Sequence, residues 1–213
     1  MSAGDASAPR LVLDWDGTIT ETDTLALVVQ EFGDIELWGR MGRLMGRTLT
    51  HDAAVAVGIT SVRAPLATVV EWLCATVRLR PGFPELVAEH RPLVVSSGFR
   101  ELIDPILRRE GVDVDLVANR VSWHPDGWRA EFRSGDPCEH CGEPCKRAAL
   151  PAGPVVYVGD GYSDRCAALR ADRVFATGTL AVDLDGLGVP YERFDDLHDV
   201  AAGLRSAGSR TGA

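Results

Sequence analysis

Four short apolar runs punctuate this chain: Leu11 to Trp15, Leu93 to Ser96, Val155 to Val158 and Val174 to Ala176. Runs this short, rich in branched residues, suit strands buried on both faces. Between them lie longer stretches with helical spacing. Strands alternating with helices imply a parallel α/β sheet. Leu116 to Trp123 and Trp128 to Phe132 flank Pro125-Asp126-Gly127 and read as a hairpin.

The longest helical stretch falls between the first two runs. Leu25, Val28, Val29 and Phe32 recur at i, i+3, i+4 and i+7, and Leu66, Val69, Val70, Leu73 and Val77 keep the same rhythm. Trp38 to Arg47 and Ala53 to Ile59 are also helix-like. These stripes read as packing faces. Pro81-Gly82 marks the return to the core. The expected organisation is a core over 10–18 and 81–205, a helical cap over 19–80, and flexible tails at 1–9 and 206–213.

Composition excludes some partners. The chain has 213 residues and a formal net charge of −9 with no basic block, so no nucleic-acid partner is expected. Its apolar runs are far shorter than a membrane span. The start lacks the pattern of a signal peptide, and a cytoplasmic location follows by default. Five cysteines without an export signal point to thiols or a metal rather than a disulfide framework. Oligomeric state is not legible.

The first run ends in Asp14-Trp15-Asp16-Gly17-Thr18. Period two places Asp14 and Asp16 on one side at the strand's carboxyl end, where open α/β sheets bind ligands. Two carboxylates so close repel unless a cation lies between them or one is protonated. The third run ends in Gly159-Asp160-Gly161-Tyr162-Ser163-Asp164. Asp160 would complete an oxygen-rich magnesium site with Asp14; Asp164 would hold a metal-bound water or orient Lys146. The second run ends at Ser96-Ser97-Gly98, a phosphate cradle before a helix. Of 22 basic residues only Lys146 is lysine, a candidate for a compact point charge that arginine cannot supply.

Taken in order, the Asp14–Thr18 motif, Ser96, Lys146 and the Gly159–Asp164 motif resemble the four motifs of the haloacid dehalogenase superfamily, over about residues 10–180. The insert resembles the C1-type helical cap of its phosphoserine-phosphatase-like branch. The resemblance implies a Rossmann-like core and a magnesium-dependent phosphatase acting on a small phosphorylated metabolite. Asp14 would be the nucleophile and Asp16 the general acid and base. Ser96 and Lys146 would bind the transferring phosphoryl group. Magnesium would sit on Asp14, the backbone carbonyl of Asp16, and Asp160, with Asp164 nearby. Asp23 stands where phosphoserine phosphatases usually place a glutamate; with Ser97, Gly98 and Arg100 it is a candidate substrate contact. The alternatives are a phosphotransferase or mutase using the same phosphoaspartate, and a non-catalytic phosphate-binding module.

The run Cys138-Glu139-His140-Cys141-Gly142-Glu143-Pro144-Cys145-Lys146 resembles the cysteine-rich approach to the motif lysine in two subgroups. One acts on 2-hydroxy-3-keto-5-methylthiopentenyl-1-phosphate, the other on phosphocholine and phosphoethanolamine. Cys138, Cys141 and Cys145 are candidate ligands of a structural zinc ion, with His140 or His124 as fourth ligand, set against free thiols. Arg40, Arg43 and Arg47 read as a solvated face. His51, His90 and His198 read as surface or packing residues.

Overall fold

The computed structural model of the chain describes residues 9–208. Its sheet has the order β4-β3-β2-β1-β5-β6-β7. The strands are β1 (Arg10–Leu13), β2 (Leu93–Phe99), β3 (Asp115–Ser122), β4 (Arg129–Glu131), β5 (Val155–Gly159), β6 (Arg173–Ala176) and β7 (Glu192–Arg193). All neighbours pair in parallel except β3 and β4, the expected hairpin. The sequence pattern does not reveal β7, a two-residue exposed edge strand.

Alternation sends side chains to two buried faces. Leu11, Leu13, Val94, Val156, Val158 and Phe175 enter one apolar cluster; Val12, Val95, Val155, Tyr157 and Val174 enter the other. Helices α5 (Phe83–His90), α6 (Arg100–Arg109) and α9 (Leu197–Gly208) contribute to the first cluster. Helices α7 (Arg165–Ala168) and α8 (Gly178–Leu187) contribute to the second. Burying one such aliphatic side chain stabilises by roughly 1.5–3 kcal/mol, so both clusters are needed to hold the sheet.

Helix α9 begins on buried Leu197, Val200 and Ala201 and runs on to Gly208, beyond the tail boundary at 206 that composition suggests. Its backbone ladder continues past the last packed turn. The remaining tail positions, 1–8 and 209–213, lie outside the described residues. Among the described residues no helix is long and apolar enough to cross a membrane.

Between β1 and β2 come α1 (Thr24–Phe32), α2 (Ile35–Leu44), α3 (His51–Ile59) and α4 (Leu66–Thr76). Asp23, Asp34 and Thr50 each accept a backbone N–H of the helix they precede, which sets the starts of α1, α2 and α3. Val28, Val29, Ile59, Val69 and Leu73 join the same buried cluster as the sheet's first face. The two linkers run antiparallel, with Thr20 bridged to Leu79, Glu21 N–H donating to Arg78 O at 3.1 Å and Arg80 N–H to Ile19 O at 2.8 Å. On the far side, Trp128 Nε1 donates to Ala64 O and Trp123 Nε1 to Arg63 O, each at 2.9 Å, which fastens the β3–β4 hairpin to the α3–α4 loop.

Candidate active site

Strand β1 lies between β2 and β5, and the chain changes direction across the sheet there. That is the switch point at which open α/β sheets bind ligands. Leu13 pairs with Val94 on one side and Val158 on the other. The next residue, Asp14, therefore emerges at the sheet's carboxyl edge beside the ends of both neighbours. Its N–H donates to Val158 O at 2.9 Å. Gly17, with φ +72°, turns the chain back; a Cβ there would lie 2.3 Å from Asp160 Oδ2, so only glycine fits.

The charged groups converge as follows. Lys146 Nζ forms ion pairs with Asp14 Oδ1 and with Asp164 Oδ1, the latter at 2.7 Å, and all three residues are buried. Asp164 also accepts the Tyr157 hydroxyl at 2.6 Å and the N–H groups of Asp160 and Gly161 at 3.0 and 2.9 Å. Burial works against its charge, but Lys146 and these donors hold its carboxyl below the usual range. Burial alone would lower Lys146; Asp14 and Asp164 outweigh it and raise the ammonium above its ordinary value. Burial, then the charge of Asp164, pushes Asp14 up against the pull of Lys146. Asp160 is pushed up to about 6 by burial and then by Asp164, and accepts the Thr18 hydroxyl at 3.1 Å.

Asp16 points elsewhere. Its Oδ1 accepts the Thr24 N–H at 2.8 Å and the Thr24 hydroxyl. Burial and then Asp23 raise it to about 7. Asp23 caps α1 through Ala26 N–H at 2.9 Å while lining the same cavity. That cavity, about 230 Å³, holds Asp14, Asp16, Lys146 and Asp160 on one wall. Trp38, Met41, Met45, Ala54 and Val55 of the inserted helices form the other. A wider cavity of about 760 Å³ adjoins it and shares His51, Ser97, Lys146, Tyr162 and Ser163.

Ser97 and Gly98 line the smaller cavity. Ser96 is fully buried, its Oγ accepting Gly98 N–H at 2.8 Å. Arg100 does not reach the site. As the first residue of α6, which packs along β3, it turns over that strand, donating to Leu116 O at 2.5 Å and pairing with Asp104 at 3.4 Å. His51 is not a bystander: it lines both cavities, and its N–H donates to Glu143 Oε2 at 2.8 Å. Thr24 and Tyr157 also escape a reading of the sequence, since each acts only through a partner distant along the chain. Trp15 faces away from the cavity, edge-on to Phe83 at 6.4 Å.

Carboxylate oxygens of Asp14, Asp160 and Asp164 lie within 4.8 Å of one another. Such hard oxygen donors, two of them with raised pKa values, suit a divalent cation that would relieve their repulsion. The cysteine cluster differs from the sequence expectation. Cys166, not His140 or His124, joins Cys138, Cys141 and Cys145, because α7 follows directly on the Asp164 loop and brings it there.

A buried carboxylate held beside a lysine at a sheet's switch point puts a nucleophile and a fixed positive charge where open α/β sheets bind ligands. The family model for haloacid dehalogenase-like hydrolases matches residues 11–169, and the chain belongs to that family. The 2-hydroxy-3-keto-5-methylthiopentenyl-1-phosphate phosphatase of Geobacillus kaustophilus (strain HTA426) is 28% identical over 215 residues, covering 92% of this chain and 94% of that protein. The phosphatase of the same description from Microcystis aeruginosa (strain NIES-843 / IAM M-2473) is 27% identical over 195 residues, covering 88% and 93%. A solved structure of a phospho-aspartyl intermediate analogue of phosphoserine phosphatase matches with a TM-score of 0.67 at 19% identity, covering 92% of this chain and 99% of that one. At that identity the likeness speaks for the fold. The protein is thus a hydrolase of that family, with the fold of phosphoserine phosphatase.

Proposed function

We propose that the protein hydrolyses a small phosphomonoester through an aspartyl phosphate on Asp14. The observation that carries this reading is Asp14 itself: a buried carboxylate at the cavity wall, held by the chain's one lysine. In the first half-reaction an Asp14 oxygen bonds to phosphorus as the ester P–O bond breaks. Asp16 gives its proton to the leaving oxygen. In the second, Asp16 takes a proton from water as that water attacks the phosphoaspartate, which releases inorganic phosphate and regenerates Asp14. Lys146 offsets the charge of the transferring group and Ser97 lies beside it on the cavity wall, where positioning and charge supply most of the catalysis. Asp14, Asp160 and the Asp16 carbonyl would hold Mg²⁺, which offsets charge on that group when bound.

The segment 19–80 acts as a cap on the paired linkers and supplies the wall that faces the leaving group. That wall sets Trp38, Met41, Met45, Ala54 and Val55 beside Asp23 and His51, so it offers apolar packing and two polar groups to a small leaving group. The relatives named for 2-hydroxy-3-keto-5-methylthiopentenyl-1-phosphate make that compound the first to test.

The experiment is phosphate release from this compound, phosphocholine, phosphoethanolamine, phosphoserine and sugar phosphates, with Mg²⁺, with EDTA, and with Asp14→Asn. Mg²⁺-dependent release lost in Asp14→Asn supports the mechanism. Release unaffected by that substitution sinks it, and transfer of phosphate to a second hydroxyl in place of water would make the protein a phosphotransferase.

A further inference from the structure

One of the five cysteines, Cys74, sits on α4 against the main apolar cluster. The other four stand together. The Sγ atoms of Cys138, Cys141, Cys145 and Cys166 all lie within 4.8 Å of one another, and all four are free thiols. A tetrahedral zinc with Zn–S bonds of about 2.3 Å sets its sulfurs near ~3.8 Å apart, so a contraction of about 1 Å or less would close the site. A disulfide would bring two of the sulfurs to about 2 Å and leave the other two without a role.

The surrounding backbone closes a tight turn around these sulfurs. Cys138-Glu139-His140-Cys141 has two-residue ligand spacing, and Gly142 follows with φ +74°. The turn is closed by Gly142 N–H to Cys138 O at 2.8 Å and by Cys138 N–H to Glu143 O at 2.9 Å. Backbone amides of His140 and Cys141 lie beside the Cys138 sulfur and that of Arg147 beside the Cys145 sulfur, while Cys141 Sγ donates to Glu143 O at 3.5 Å. Amide donors to ligand sulfurs orient and stabilise a thiolate metal site. None of these features serves the phosphoryl chemistry described above.

We propose that Cys138, Cys141, Cys145 and Cys166 form a tetrathiolate site for a zinc-class divalent cation, which fastens the two catalytic segments to each other. Four thiols lose four protons as they bind one Zn²⁺, leaving a site of charge −2. Its placement gives it a purpose. Cys145 immediately precedes Lys146, and Cys166 lies two residues after Asp164. One ion would therefore tie together the backbones that carry the buried Lys146–Asp164 pair. It would also anchor the 138–145 loop, whose Glu143 receives the His51 amide from the inserted helices. The ion is structural, with every position filled by sulfur and none open to substrate.

The test is metal analysis of protein purified without chelator, which needs no knowledge of the substrate and stands even if the phosphatase mechanism fails. Wild type and Cys74→Ser are expected to hold one zinc per chain; Cys138→Ser and Cys166→Ser are expected to lose it. Cobalt added to metal-stripped wild type should give the visible bands of a tetrahedral thiolate complex, and those bands should vanish in Cys166→Ser. Should Cys166→Ser fail to fold, hydrogen exchange on wild type serves in its place. Stripping the zinc should speed exchange at 145–149 and 164–168 and leave β6 unchanged. Folded wild type without zinc or cobalt binding overturns the proposal, as does a disulfide among the four cysteines, or a Cys166→Ser protein with unchanged metal content and spectrum.

Discussion

Thr24 donates its backbone N–H to Asp16 Oδ1 at 2.8 Å and adds its hydroxyl to the same oxygen. The proposed general acid is thus oriented by the first residue of α1, so the helical insert reaches the chemistry as well as the substrate. Thr24→Val keeps the shape and the N–H but removes the hydroxyl. A hydrogen bond to a charged group contributes about 1.5–3 kcal/mol, which predicts a fall in kcat of roughly 10- to 100-fold. Magnesium affinity should not change, because the hydroxyl touches no donor of that site. Steady-state kinetics and a Mg²⁺ titration check both.

The pH profile should report Asp16. Burial and then Asp23 push its carboxyl up to about 7. A general acid must be protonated, so kcat/KM is expected to fall as pH rises through about 7. Asp23→Asn retains the helix cap, since asparagine caps as well as aspartate, but removes the negative charge that favours the protonated form. The alkaline limb should move to lower pH. An unmoved limb would assign it to another group.

The same shifts govern stability without metal. Asp16 and Asp160 have folded-state values of about 7 and about 6, against about 3.9 in an unfolded chain. Between pH 4 and pH 7 the native state therefore binds more protons than the unfolded state, and stability declines as pH rises across that window. In EDTA, Tm should fall from pH 5 to pH 7.5. Saturating Mg²⁺ should reverse this, because it favours the ionised carboxylates. At one hundred times its Kd the ion stabilises by about 2.7 kcal/mol, or about 5–10 °C for a chain of this size. Scanning calorimetry at the two pH values, with and without Mg²⁺, reads the effect.

Much of the site is legible in the sequence because strands deliver it. Asp14 and Asp160 end apolar runs, and a parallel sheet brings such ends to one edge. Lys146 announces itself as the one lysine. What could not be read depends on side-chain direction or on contacts distant along the chain. Arg100 follows the cradle in sequence, yet the start of α6 turns it toward Leu116. Tyr157 looks like one more apolar strand residue, yet its face of β5 leads its hydroxyl to Asp164. Cys166 belongs to no cysteine motif, and only the short loop into α7 carries it to the other three. His51 has no partner nearby in sequence; its amide finds Glu143, 92 residues on.

Lys146 offers the sharpest separation of fold from chemistry. Its ammonium lies buried between Asp14 and Asp164. Lys146→Ala leaves two buried carboxylates facing each other across a cavity, and removing one partner of a buried pair costs about 3–5 kcal/mol. Part of that loss should be recovered by lowering the pH, which protonates the carboxylates, or by adding Mg²⁺. Neither treatment should restore turnover, since the point charge on the phosphoryl group is gone. Lys146→Met keeps the side chain's length and apolar packing and should be less destabilised, yet equally inactive. Lys146→Arg retains the charge but brings a planar fork into a space closed by Asp14 and Asp164, so it too should lose activity. Denaturant unfolding beside phosphate release distinguishes the cases: a Lys146→Met protein with wild-type turnover would remove the lysine from the mechanism.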